Sequence, residues 1–205
     1  MSEYAFILPI AAVSLLGAMS PGPSFVIVAK TALAESKERG FGLSVGMGLG
    51  AASFFLLAVF GLYAVLETVP TLYMGLKIIG GMYLCYLAYK IIRHAKEPLD
   101  KVEYAKEKSF WGYVLYGFAV QMSNPKTAIV IGSIVAAFLP REIPPMTPWI
   151  LALMGFLTDL VWYGMVVLLF SRPKAQRGYL RFKVWIDRLA GGVLGILGLK
   201  LIATP

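Results

Sequence analysis

A few polar side chains stand inside stretches that are otherwise apolar. Asp159 lies in Gly155-Phe156-Leu157-Thr158-Asp159-Leu160, and Lys126 closes Gln121-Met122-Ser123-Asn124-Pro125-Lys126. Each falls within an apolar run long enough to cross a bilayer, where an ionised group costs at least about 2.5–3.5 kcal/mol. Something must offset that cost. For Asp159 one reading is structural, an ion pair with Lys126 or a hydrogen bond to opened backbone. The other is a carboxylate facing a cavity, holding a substrate ammonium or carrying a proton. Intramembrane acids usually mark ion or substrate paths, so the second is favoured. Lys126 suits either a substrate carboxylate or the free carbonyls ending a helix at Ser123. Gln121 and Asn124 bring amides that must find partners when buried.

The backbone around these residues is as informative as the side chains. Met19-Ser20-Pro21-Gly22-Pro23 and Asn124-Pro125 each interrupt an apolar run. Proline lacks an N–H and its ring crowds the preceding turn, so a regular helix cannot pass through. In hydrocarbon the freed peptide groups are tolerable only where protein or a water-filled cavity covers them. Half-helices starting after Pro23 and Pro125 present N–H groups suited to a carboxylate. Half-helices ending before the breaks present carbonyls suited to an ammonium. The kit fits a small zwitterion, with room beside Gly46 and Gly50 for a compact solute. The expected binding set is Ser20, Pro21, Gly22, Pro23, Gly46, Gly50, Gln121, Asn124, Pro125 and Lys126, with Asp159 for the ammonium or the coupling proton.

These residues need elements to hold them. Of 205 residues, 59% are apolar and 15% charged, against about 25% charged in soluble domains. Six apolar runs cover roughly 4–32, 41–66, 71–92, 111–139, 148–170 and 186–203. About 20 helical residues cross the hydrocarbon core, and the last run is the shortest. The net charge of +8 is concentrated after the first, third and fifth runs. That is the pattern of cytoplasmic loops, so it signals topology rather than nucleic acid, and it places both termini outside. The N-terminal run lacks a basic start and reads as a retained span. The predicted fold is therefore an all-α membrane protein of one domain, residues 1–205, with six transmembrane helices. Repeat one covers about 1–93, a cytoplasmic linker about 94–110, and repeat two about 111–205. Helices 1 and 4, each opening a three-helix set, are the broken ones, and an odd number of spans inverts the second set. Paired interrupted helices in corresponding positions are the mark of inverted-repeat transporters.

Other classes fare worse. There is no P-loop, no strand-borne G-x-G-x-x-G, no zinc spacing and no plausible Ser/His/Asp set, so neither an enzyme nor a cofactor is expected. Cys85 is the one cysteine and His94, in the polar linker, the one histidine. A cation exporter would need clustered carboxylates, thiols or imidazoles at midplane, so no metal site is predicted. A membrane scaffold would not need broken helices. Lys77 is placed to snorkel to the interface. Glycine faces at Gly42, Gly46 and Gly50, and at Gly191, Gly195 and Gly198, permit close helix contacts, serving the internal bundle or a homodimer equally.

Met-Ser-Pro-Gly-Pro at 19–23, the Gly42/Gly46/Gly50 run, Gly80-Gly81-Met82-Tyr83-Leu84, Asn124-Pro125-Lys126, Arg177-Gly178-Tyr179 and Trp185-Ile186-Asp187-Arg188 leading to Gly191 are similar to the LysE-type translocators. The resemblance runs nearly end to end and is closest to the homoserine/threonine-efflux (RhtB) branch. It implies a bacterial inner-membrane exporter of amino acids driven by the proton gradient, with amino acid, protons and lipid as its partners. Ser24-Phe25-Val26 after the first motif leans towards small neutral or hydroxylated substrates.

Overall fold

The computed structural model describes residues 3–20, 22–34, 36–68, 70–96, 109–140, 143–171 and 173–203. Pro21 and residues 97–108 of the expected linker lie outside them. The described residues form eight helices: α1 (Ile7–Met19), α2 (Pro23–Ala34), α3 (Lys37–Thr68), α4 (Pro70–Arg93), α5 (Phe110–Met122), α6 (Pro125–Phe138), α7 (Thr147–Phe170) and α8 (Pro173–Ala203). No strand occurs among them.

Both proline motifs break a helix. At the first, Ser20 turns extended (φ −69°, ψ 120°) while its N–H still donates to the Leu16 carbonyl. Pro23 then opens α2, where its missing N–H is harmless. α1 and the following Pro23–Ala32 segment are bent by 62°. At the second break Asn124 is extended (φ −86°, ψ 104°), as a residue before proline prefers. Its side chain accepts from the Lys126 N–H at 3.0 Å, capping α6.

α3 is the central element, packing along both α5 and α7, while α4 pairs with α8. Glycine makes these approaches possible. A Cβ on Gly46 would lie 2.0 Å from the Val114 carbonyl oxygen, and one on Gly50 would lie 2.6 Å from Gln121 Cβ. Gly46 and Gly50 thus belong to the α3–α5 contact, which is so close that no solute fits between. This corrects the expectation that they leave room for one. On the other pair, Cβ atoms on Gly81 and Gly198 would each meet the other residue's carbonyl oxygen, at 2.7 and 2.6 Å. Both glycine faces are used in contacts inside the chain. α8 also begins well before the apolar run at 186–203, continuing through the basic stretch expected to be a linker.

α7 packs on α1 and α2, and α3 on α6. Buried apolar side chains gather into two clusters. One includes Val13, Phe55, Val130, Ile131, Leu151 and Leu194. The other includes Phe25, Leu43, Tyr113, Trp162 and Tyr163.

The outer surface is apolar as well. Leu8, Trp111 and Ile196 are 77%, 74% and 71% exposed, among many other large apolar side chains. A water-soluble monomer rarely carries so much exposed apolar surface; lipid is its natural solvent. Lys37–Leu62 and Thr147–Phe170, 26 and 24 residues, are each long and apolar enough to cross a membrane, as is the bent α1–α2 pair taken together.

Candidate functional site

Between the two apolar clusters lies a cavity of about 40 Å3. Ala51, Phe55, Val130 and Ile131 wall it from the first cluster and Phe25 and Tyr163 from the second. Its polar wall comes from both breaks and from α7: Ser20, Gly22, Ser24, Gln121, Asn124, Lys126 and Asp159.

A chain of hydrogen bonds runs along that wall. Asn124 Nδ2 donates to Ser24 Oγ at 2.9 Å, Ser24 Oγ donates to Gln121 Oε1 at 2.8 Å, and Gln121 Nε2 donates to Asp159 Oδ2 at 2.6 Å. All four residues are buried. The polarity is dictated from one end. An ionised carboxylate only accepts, so the Gln121 amide nitrogen must face Asp159. Its oxygen then faces Ser24, whose hydroxyl must donate to it and accept from Asn124. The chain joins the start of α2, the end of α5, the break before α6 and the middle of α7.

Lys126 makes a second connection. Its Nζ donates to the Ser20 carbonyl at 2.9 Å. The cation thus caps an open carbonyl at the first break, not those at Ser123 beside it. Lys126 is within electrostatic reach of Asp159 and also of Asp187 on α8. Asp187 is buried and accepts at 3.0 Å from Lys183 through Oδ2.

Of the predicted binding residues, Ser20, Gly22, Gln121, Asn124, Lys126 and Asp159 come together at the cavity. Pro23 and Pro125 are exposed first residues of their helices, and Gly46 and Gly50 lie in the α3–α5 contact. Pro21 lies outside the described residues. One α6 N–H expected to be free, that of Lys126, is already taken by Asn124. Three further polar residues were not assigned to the site by the sequence reading. Ser24 links the two breaks. Ser14 lines the cavity, and like Ser20 it has a buried hydroxyl oxygen with no hydrogen-bond partner. Asp187 is a further buried acid, legible only as a charge next to the expected sixth span.

Fold and site define an integral membrane protein of the translocator class, with an internal polar cavity where two interrupted helices meet. Residues 15–204 match the LysE type translocator family, and the chain belongs to it. It is 32% identical to a threonine efflux protein of Escherichia coli K12 over 95% of this chain and 96% of that protein. A threonine efflux protein of Salmonella typhi is also 32% identical, covering 94% and 95% of the two chains. A leucine efflux protein of Enterobacter sp. (strain 638) is 24% identical, covering 86% of this chain and 83% of that one. No solved structure matches the chain.

Proposed function

We propose that this protein is a secondary active exporter of small neutral or hydroxylated amino acids, driven by protons across the bacterial inner membrane. The observation that carries this reading is the meeting of both broken helices and Asp159 at one buried cavity. Threonine and leucine efflux by its relatives supports the substrate class. The fold reading is six spans, α1–α2, α3, α4, α5–α6, α7 and α8, forming two inverted halves with both termini periplasmic. The reciprocal crossing of α7 over α1–α2 and of α3 over α6 supports it.

The cavity supplies both poles a zwitterion needs. Lys126 would release the Ser20 carbonyl to meet the substrate carboxylate, and Asp159 would meet the ammonium or hold the coupling proton. At about 40 Å3 the chamber admits about three waters and not an amino acid. Loading therefore requires the halves to part, as alternating access demands. Protonation of Asp159 would turn it from acceptor into donor. Gln121 would then present its oxygen to Asp159 and its nitrogen to Ser24. Ser24 would turn its hydroxyl hydrogen to Asn124 Oδ1, competing for the atom that caps α6. One proton thereby reaches both breaks.

The alternatives are a cation exporter of the wider superfamily and a non-transporting membrane scaffold. The test is efflux from cells preloaded with individual labelled amino acids. Overexpression should accelerate loss of threonine or another small amino acid, and Asp159→Asn should abolish gradient-driven efflux at unchanged membrane level. Wild-type transport by that variant removes Asp159 from the mechanism; failure to export any amino acid rejects the function.

A further inference from the structure

Ser14 and Ser20 carry buried side-chain oxygens without hydrogen-bond partners, and both residues line the cavity. Leaving a buried hydroxyl unmatched is unfavourable, so such a group in a cavity wall points to a ligand or water that completes it. The two serines sit at different ends. Ser20 is at the first break, and its carbonyl holds Lys126. Ser14 lies six residues earlier, about 9 Å along the α1 axis at 1.5 Å per residue.

Apolar side chains share the cavity wall with Ser14. Its neighbour Val13 belongs to the cluster that sends Phe55, Val130 and Ile131 into the cavity wall. Ser14, Gly17 and Ala18 follow the i, i+3, i+4 spacing of one helix face, and all three line the cavity. A Cβ on Gly17 would lie 3.4 Å from Val130 Cγ1, so this face of α1 is kept small against α6. The cavity wall thus combines the charged and polar groups of the breaks with apolar side chains and the unmatched Ser14 hydroxyl.

We infer that Ser14 is a specificity-determining residue, its hydroxyl hydrogen-bonding a hydroxyl on the substrate side chain when the substrate's charged head group lies at the breaks. This rests on the exporter reading above and adds which amino acids the site prefers. A site holding an unmatched hydroxyl disfavours a substrate that covers it with a methyl, because the pair of polar groups is then broken.

Threonine and valine have nearly the same shape and differ by a hydroxyl in place of a methyl, so they isolate this contact. Purified wild-type protein and Ser14→Ala would be reconstituted in proteoliposomes under a proton gradient, and labelled threonine and valine transport measured under the same conditions. Wild type should favour threonine by roughly tenfold. Ser14→Ala should lower threonine transport and raise valine transport relative to it, bringing the ratio near one. Ser14→Thr, which keeps a hydroxyl, should retain the preference for threonine. Should Ser14→Ala fail to fold, Ser14→Gly gives the same comparison. A wild type that moves both equally, or a ratio unchanged by removing the hydroxyl, overturns the role of Ser14 while leaving the exporter reading intact. A wild type that moves no amino acid overturns both.

Discussion

Lys126 Nζ donates to the Ser20 carbonyl at 2.9 Å, so the cation that opens the second half-helix pair closes an exposed end of the first. Residues 106 positions apart hold the two breaks together. Gly22 is part of the fit: a Cβ there would sit 3.5 Å from Lys126 Nζ. Lys126→Met keeps the aliphatic stem and removes the cap. The Ser20 carbonyl then loses its charged donor, which costs about 1–3 kcal/mol. Heating the detergent-solubilised variant and measuring the remaining monodisperse protein should show that loss as a lower midpoint. Efflux should fall further than stability does if the same ammonium meets the substrate carboxylate, as proposed. Lys126→Arg should recover stability better than transport, because a planar fork cannot replace a compact ammonium in a small chamber.

Ser24 both accepts and donates along the polar chain through a single oxygen. Ser24→Ala cuts the chain in the middle, leaving Asn124 Nδ2 and Gln121 Oε1 each short of a partner. Two buried polar groups losing a bond should cost about 2 kcal/mol or more in the thermal assay. Transport is the sharper readout. If proton state reaches both breaks through this chain, Ser24→Ala should uncouple efflux from the proton gradient while Ser24→Thr preserves coupling. Equal gradient dependence in wild type and Ser24→Ala would sink the relay.

The breaks themselves were legible because proline is chemically unable to continue a helix, whatever surrounds it. Asp159, Lys126, Gln121 and Asn124 stood out because charge and amides are costly in apolar runs, and they do meet at one cavity. Ser14 and Ser24 gave no such signal. A serine can return its hydroxyl to its own helix, as Ser44 does to the Gly40 carbonyl, so its presence in an apolar run costs little and announces nothing. Gly46 and Gly50 show the opposite failure. Their spacing correctly implied a close approach, but a glycine face does not say what approaches. Here it is the backbone of α5 at Gly46 and the Gln121 side chain at Gly50. Asp187 is hidden by position, at the start of an apolar run although α8 starts at Pro173.

The α3–α5 contact yields a steric prediction. A Cβ on Gly46 would meet the Val114 carbonyl oxygen at 2.0 Å and the Phe118 nitrogen at 2.6 Å, both backbone atoms that cannot rotate away. Gly46→Ala must push two helices apart along their length, disturbing Gln121 one turn further on. The penalty should exceed the roughly 1–3 kcal/mol of ordinary overpacking. The variant should accumulate poorly in membranes, as read by immunoblot against total protein. Gly61→Ala, in the same helix with nothing within 4 Å, should accumulate at least as well as wild type.

A buried lysine on α8 ties the end of α4 to α8. Lys183 Nζ donates to the Ala95 carbonyl at 2.9 Å and to Asp187 Oδ2 at 3.0 Å, and both charged side chains are buried. The lysine thereby fixes the chain just past the end of α4 to α8. Asp187 Oδ1 remains buried without a partner. Removing one member of such a pair leaves an uncompensated charge, at about 3–5 kcal/mol. Asp187→Leu alone should therefore lower the thermal midpoint strongly. Lys183→Met alone should do the same, and it also strips the Ala95 carbonyl of its donor. The double variant Lys183→Met/Asp187→Leu should recover much of the loss, because an apolar pair of similar bulk often replaces a buried ion pair at little cost. Additive losses in the double variant would mean that the two charges do not depend on each other. Lys126 also feels the Asp187 charge, so the double variant has a second readout. If the ion pair only fastens α4 to α8, efflux in the double variant should return along with stability. If efflux stays low while the midpoint recovers, Asp187 acts on Lys126 as well as on Lys183, and the charged end of the cavity extends to α8.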